Sequence, residues 1–346
     1  MTDELLPPTL RAEINAVLDG AGVRADRRLV MRMLQTAVLL GEDGTDRLDL
    51  KIASAALSEM RDAFRLFAPF HGVPKVTVFG SARTAQEDPL YRQARDVAAA
   101  LSAEGWMVVT GAGPGIMQAA AEGAGPERSL GVSIRLPFEE KANTIVGEQE
   151  HVVAMKYFFT RKLMLMKESR GFICLPGGFG TLDEMFELLT LQQTGKAEPM
   201  PIVLLDQPDG TFWQGLDRFV NEDLAPTGVI SPGDFDRVLI TDSVTEAMAA
   251  ITGFWRNYDS LRWVGDVLVL RLRAEPTHAE INALNRRFGN LLASGRIERC
   301  TPLPAEIADQ DAVDLPRLCL HLDQRTIGGL FRLIGAINEL DSAPRA

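Results

Sequence analysis

The sequence predicts an α/β fold, a doubly wound parallel sheet with helices before it and a small α+β unit after it. Three observations carry the expectation. Short β-branched or apolar runs recur with helical stretches between them, glycine-bearing turns follow three of those runs, and the rhythm changes before Lys75 and again after about Ser260.

Residues 9 to 70 read as helices. Ala25 to Leu40 and Leu48 to Phe67 place apolar residues three and four apart, with the turn material Gly41-Glu42-Asp43-Gly44 between them. Strand-like runs then follow at Val76–Phe79, Trp106–Val109, Leu130–Ile134, His151–Ala154, Phe172–Leu175, Ile202–Leu205 and Val238–Ile240. Helical stretches such as Pro89–Glu104, Tyr157–Lys167 and Leu182–Gln193 separate them, which implies right-handed crossovers and a sheet covered on both faces. Beyond Ser260, Asp266–Leu272 and Arg317–Leu322 alternate like strands, with a further strand between Arg296 and Thr301. His278–Leu292 and Ile327–Leu340 are helix-like, giving a small α+β unit of split βαβ type. The polar stretch Pro302–Asp314 reads as a loop. The expected domains are a helical segment at 1–70, a nucleotide-binding catalytic domain at 71–257 and a C-terminal unit at 258–346.

Composition narrows the function. With 346 residues, 46% hydrophobic and 24% charged, the chain is globular material rather than disordered. A formal net charge of −11 argues against nucleic acid or an anionic membrane as partner, because neither attracts an acidic surface. Met1-Thr2-Asp3-Glu4 lacks the basic and apolar regions of a leader, and no run reaches membrane-spanning length, so a cytoplasmic protein is expected. Cys174, Cys300 and Cys319 are too few and too scattered for a disulfide framework or zinc site, and read as packed thiols in a reducing compartment. His71, His151, His278 and His321 show no ligand spacing, so neither a metal nor another cofactor is expected.

In a parallel sheet the three glycine turns emerge together on the carboxyl edge, where open α/β sheets bind ligands. The first, Gly80-Ser81-Ala82-Arg83, offers a hydroxyl and a guanidinium suited to a phosphate or carboxylate, or is simply a small-residue turn with an exposed arginine. The second, Thr110-Gly111-Ala112-Gly113-Pro114-Gly115-Ile116-Met117, lets a ligand approach the backbone; Met117 is a ligand wall or core. The third is Pro176-Gly177-Gly178-Phe179-Gly180-Thr181-Leu182-Asp183-Glu184, between an apolar strand and an amphipathic helix. Its glycines and the new helix's unpaired amides suit an anion. Thr181-Leu182-Asp183-Glu184 is equally a capping box, with Thr181 as N-cap and Glu184 reaching back. Upstream, Arg161 and Lys162 are cations in a strongly apolar segment, either snorkelling to solvent or serving the crevice.

Together, Pro176 to Glu184 and the Arg161-Lys162 pair resemble the LOG (lonely guy) family, whose signature is P-G-G-x-G-T-x-x-E preceded by R-K; the likeness covers roughly residues 70 to 255. The resemblance implies a Rossmann-like phosphoribohydrolase that cleaves the N-glycosidic bond of nucleoside 5′-monophosphates, such as AMP or cytokinin ribotides, to free base and ribose 5-phosphate. It implies that Arg161 and Glu184 are catalytic, and that Ser81, Arg83, Gly113, Gly115, Met117, Lys162, Gly177, Gly178, Gly180 and Thr181 bind the substrate. Short plant-type members carry a histidine before the R-K pair, where this chain has Tyr157-Phe158-Phe159-Thr160, and they lack the N-terminal helices and the C-terminal unit. Relatives are often labelled lysine decarboxylases, but no pyridoxal phosphate lysine motif is recognisable. The alternative to the enzyme is a nucleotide or phosphorylated-cofactor carrier on the same scaffold. An NAD-dependent oxidoreductase is disfavoured because the first strand ends in Gly80-Ser81-Ala82-Arg83 rather than the dinucleotide fingerprint. A homo-oligomer is expected, since the amphipathic N-terminal helices must bury their apolar faces.

Overall fold

In the computed structural model, residues 7–135, 151–231 and 233–345 are described; Met1 to Glu4, on which the leader expectation rests, lie outside them. The chain divides into two compact units, residues 1–61 and 62–346. In the first, α1 (Pro8–Gly20) and α2 (Arg27–Glu42) bury Ile14 and Leu18 against Val30, Leu34 and Val38. Arg27 ties the two helices by donating to the Asn15 carbonyl (2.8 Å) and the Asp19 carboxylate (2.6 Å). α3 (Arg47–Phe67) opens at Asp46, whose carboxylate accepts the Leu48 and Asp49 amides left free by the first turn.

The second unit is built on seven parallel strands: β1 (Lys75–Phe79), β2 (Met107–Thr110), β3 (Ser129–Ile134), β4 (Val152–Met155), β5 (Phe172–Cys174), β6 (Ile202–Leu205) and β7 (Val238–Thr241). Their order in the sheet is β4-β3-β2-β1-β5-β6-β7. α4 (Pro89–Ala103), α5 (Ile116–Ala124), α6 (Phe158–Lys167), α7 (Phe179–Gln193), α8 (Phe212–Arg218), α9 (Ala225–Thr227) and α10 (Val244–Gly253) connect or follow them. The Rossmann-like expectation holds. β1, β2, β5 and β6 are buried along their whole length, which is why β5 and β6 are unbroken apolar runs; β1 carries Lys75 and Thr77, and β2 ends in Thr110. Alternation sets the layers. Val76 and Val78 join the core shared with α4, α5 and α10, whereas Thr77 faces α6, its hydroxyl donating to the Leu165 carbonyl at 2.9 Å. The chain winds outward from β1 to β4, then returns to pair β5 with the other side of β1. That reversal opens a crevice beyond the carboxyl ends of β1 and β5.

The C-terminal part forms a four-stranded antiparallel sheet of order β10-β11-β9-β8, from β8 (Tyr258–Val264), β9 (Val267–Leu272), β10 (Leu292–Arg299) and β11 (Arg317–Leu322), backed by α11 (His278–Phe288) and α13 (Gly328–Asn338). β11 runs antiparallel to both β9 and β10, so β9 and β10 are parallel with a strand between them, a split βαβ unit. Its core is continuous with that of the large sheet: Leu268, Leu320 and Leu330 share one buried cluster with Val203, Ile251 and Trp255.

Three sequence expectations need correction here. Tyr258–Val264 is a strand that the sequence reading left unassigned. Pro302–Asp314 is not all loop, because it contains α12 (Pro304–Asp309). That helix is polar for a reason: Glu306, 0% exposed, is held between Arg271 of β9 (2.9 Å) and Arg317 of β11 (3.1 Å) and also accepts the Leu303 amide. Lastly, Cys300 and Cys319 are joined in a disulfide between β10 and β11, their Cα atoms 5.9 Å apart; only Cys174 is a packed thiol. The inference from cysteine usage to a reducing compartment falls with that bond.

Removing Glu306 leaves Arg317 without a carboxylate, while Arg271 keeps Asp311 at 2.7 Å, and losing one partner of a buried ion group costs about 3–5 kcal/mol. Glu306→Ala is therefore expected to lower unfolding free energy by about that amount, read as a fall in the urea midpoint at unchanged slope. A loss below about 1 kcal/mol would show that Arg271 and Arg317 do not depend on it.

Candidate functional site

The three glycine loops meet at the crevice, and the glycines are what let them meet. The Ile116 amide donates to the Ser81 carbonyl at 3.0 Å, joining the second loop to the first. Gly115 has φ +67°, and a β-carbon there would overlap that same carbonyl, so both backbone shape and space require glycine. At Gly177 a β-carbon would run into the Thr181 hydroxyl and crowd the Ser81 amide, which brings the third loop against the first. The Ser81 hydroxyl accepts the Arg83 amide at 3.1 Å and shapes the first loop, leaving the Arg83 side chain exposed. The Met117 side chain lies over the backbone of Gly111 and Gly113, half-buried.

Beneath these loops lies a buried ion pair. Arg161, 9% exposed on α6, donates from Nη1 to Glu184 Oε1 at 3.0 Å. Its Nε donates to the Val132 carbonyl of β3 at 2.9 Å, and its Nη2 lies against Gly111, where a β-carbon would displace it. One guanidinium thus connects β3, the second loop and α7. Glu184 is 8% exposed, and burial pushes its carboxyl above the usual 4.5, against the pull of the Arg161 and Lys162 charges. Burial raises the neighbouring Cys174 thiol as well, reinforced by the Glu184 charge, so that thiol stays protonated.

Where α7 begins excludes the capping-box reading of Thr181 and Glu184. Its N-cap is Gly178, two residues before Phe179-Gly180 is complete, and no side chain caps it. Thr181 is therefore inside the first turn rather than at the cap, and Glu184 sits in the second turn, turned to Arg161. The first backbone bond of the helix is Leu182 to the Gly178 carbonyl, so the amides of Phe179, Gly180 and Thr181 have no intrahelical partner. Gly178, Phe179 and Gly180 are exposed, which leaves that end of the helix open to an anion.

Lys162 takes a different place from its neighbour. It bridges Asp183 (2.8 Å) and Glu187 (2.7 Å) and braces α6 against α7. Sequence reasoning passed over Gly111 and Phe179. The first carries no chemistry and shows its role only as the space Arg161 occupies; the second is 93% exposed at the mouth of the open helix end. Among the described residues, no group of three or more His, Cys, Asp or Glu is placed to hold a metal ion.

A family model described as "Possible lysine decarboxylase" matches residues 115–251. The chain is 33% identical over 165 residues to a Mycobacterium tuberculosis protein named cytokinin riboside 5'-monophosphate phosphoribohydrolase, covering 46% of this chain and 84% of that one. The Mycobacterium marinum protein of the same name is 32% identical over 158 residues, covering 44% of this chain and 81% of its own. A solved structure titled as the molybdenum cofactor binding protein of Rippkaea orientalis aligns at 23% identity over 51% of this chain and 93% of that one, with a TM-score of 0.36, a likeness too loose to bear on function. With most of a relative's length matched at 33% identity, the chain belongs to the LOG family of cytokinin riboside 5'-monophosphate phosphoribohydrolases.

Proposed function

We propose that the chain hydrolyses the N-glycosidic bond of nucleoside 5′-monophosphates, with AMP or a cytokinin ribotide as substrate, and that Arg161 and Glu184 are its catalytic pair. The reading rests on one observation above the rest: a buried Arg161–Glu184 pair behind an open helix end. Five residues separate Phe179 from Glu184, or roughly 7–8 Å along a helix axis. A 5′-phosphate on the open amides, with Gly177, Gly178, Gly180 and Thr181 around it, puts the ribose over the carboxylate.

Breaking the bond sends its electron pair to the departing base, which takes up a proton, while water adds at C1′ to give ribose 5-phosphate. Positive charge grows on the ribose before the water bond is complete. A buried carboxylate stabilises that charge more than it stabilises the neutral substrate, which is differential binding of the transition state. Arg161 holds Glu184 in place; Ser81, Arg83, Gly113, Gly115 and Met117 line the nucleotide, and Lys162 supports them by fixing α6 to α7. The relatives' printed names agree with this reaction. We also propose that the protein works as a homo-oligomer, in keeping with the exposed Val17, Leu29 and Met33 of the N-terminal unit.

Incubation with AMP, other nucleoside monophosphates and a cytokinin ribotide is expected to release free base and ribose 5-phosphate in equal amounts. Nucleotide binding without any release would favour the carrier. Glu184→Gln is expected to lower turnover by on the order of 10²–10³-fold, the scale of losing one buried electrostatic contact, with nucleotide affinity little changed. Equal turnover would leave Glu184 a structural residue.

The charged carboxylate is the working form, so activity is lost as pH falls through the Glu184 pKa. Because burial raises that pKa, the acid limb of kcat/KM is expected above pH 4.5. A limb at or below that value would mean that Arg161 outweighs burial.

A further inference from the structure

A second concavity lies at the opposite edge of the large sheet. It is a cavity of about 280 Å³ where the turn before β1, the start of β2, the start of β5, the end of α10 and the end of β9 come together. Among the described residues, its charged or titratable lining is His71, Arg170 and Arg273, its aromatic walls are Trp106 and Trp255, and no carboxylate lines it. That is unexpected in a chain of net charge −11.

Of the two guanidiniums, Arg170 is held in place, whereas only the backbone of Arg273 is fixed. Arg170 lies over the Trp255 ring, 4.9 Å from its centroid, and its backbone carbonyl accepts the Trp255 Nε1–H at 2.8 Å. Arg273 is anchored by its amide, which donates to the Asn257 carbonyl at 2.8 Å, while its exposed side chain has no hydrogen bond or ion pair among the described residues. Behind the turn, Lys75 Nζ donates to the Phe70 and Val73 carbonyls, adding a second fixed cation. Burial and then the Arg170 charge draw its pKa down, against Glu168. Glu198 acts on Arg170 from outside the lining and offsets part of this field. The Arg273 charge remains uncompensated.

We propose that this cavity binds a compact polyanion, a small molecule carrying phosphate or clustered carboxylate groups, at a site separate from the catalytic crevice. Arg170 and Arg273 supply two guanidiniums to one ligand, a pairing suited to planar or tetrahedral oxyanions. The low-dielectric Trp255 wall strengthens the Arg170 contact. Trp255 is covered on one face by Arg170 and stacked on Tyr258 (5.5 Å between centroids), so its ring is unavailable to a stacking base. That favours a compact anion over a nucleobase ligand. Occupancy also bridges the parallel sheet and the end of β9, a strand of the C-terminal sheet.

Two of the chain's four tryptophans line the cavity, so intrinsic fluorescence reports it. Full-length protein titrated with inorganic pyrophosphate, and separately with citrate, is expected to give a saturable fluorescence change with at least one of them; which one responds distinguishes phosphate from carboxylate ligands. Arg273→Glu is expected to weaken that response at least tenfold at unchanged melting temperature, Arg273→Lys to retain most of it, and Arg83→Ala at the catalytic edge to leave it unaltered. The proposal is overturned by no saturable change with either anion, by an undiminished response in Arg273→Glu, or by loss of the response in Arg83→Ala.

Discussion

A guanidinium buried under three loops is the constraint on which the rest of the site depends. Taking Arg161 out of water is costly, and the cost is met only because Val132, Gly111 and Glu184 are all in place. Each of these comes from a different element. The pair therefore reports on the whole arrangement: if β3, the second loop or α7 shifts, Arg161 loses a partner and Glu184 loses its orientation. Burial does a second thing. It raises the free energy of the Glu184 anion in the empty crevice, so positive charge arriving beside that anion is stabilised more strongly there than in water.

The sheet explains why such a pair lies where it does. Because the chain winds outward from β1 and then returns to its other side as β5, the loops after β1, β2 and β5 are neighbours. Their close approach consumes glycines at 115 and 177: a β-carbon at the first would meet the Ser81 carbonyl, and one at the second would meet the Thr181 hydroxyl of its own loop and crowd the Ser81 amide. The same packing sets the start of α7 at Gly178 and leaves its first amides open. The open amides and the carboxylate thus lie on two turns of one helix, and their separation follows from helical rise alone.

Much of this was legible in the sequence, and the parts that were not have physical causes. The strands announced themselves as short runs rich in apolar and β-branched residues, most continuously in the fully buried β5 and β6. The place of Glu184 did not, since Thr-Leu-Asp-Glu also reads as a capping box, and only the position of the N-cap excludes that reading. Gly111 was silent because its contribution is an absence, the space filled by Arg161. The helix at Pro304–Asp309 was hidden by a different effect: its buried residue is a glutamate, so polarity suggested a loop where a charge cluster makes a core. The Cys300–Cys319 bond joins residues brought together by strand pairing, which spacing along the chain does not reveal.

The central claim is that Arg161 and Glu184 act as one unit on the ribose of a nucleoside monophosphate. Turnover of AMP, or of whichever monophosphate the protein prefers, measured for Arg161→Ala, Glu184→Gln and the double variant tests it most directly. Groups that act as a unit lose their function together, so the double variant is expected to be scarcely worse than the poorer single one. Losses that multiply would contradict the account, since Arg161 and Glu184 would then contribute independently.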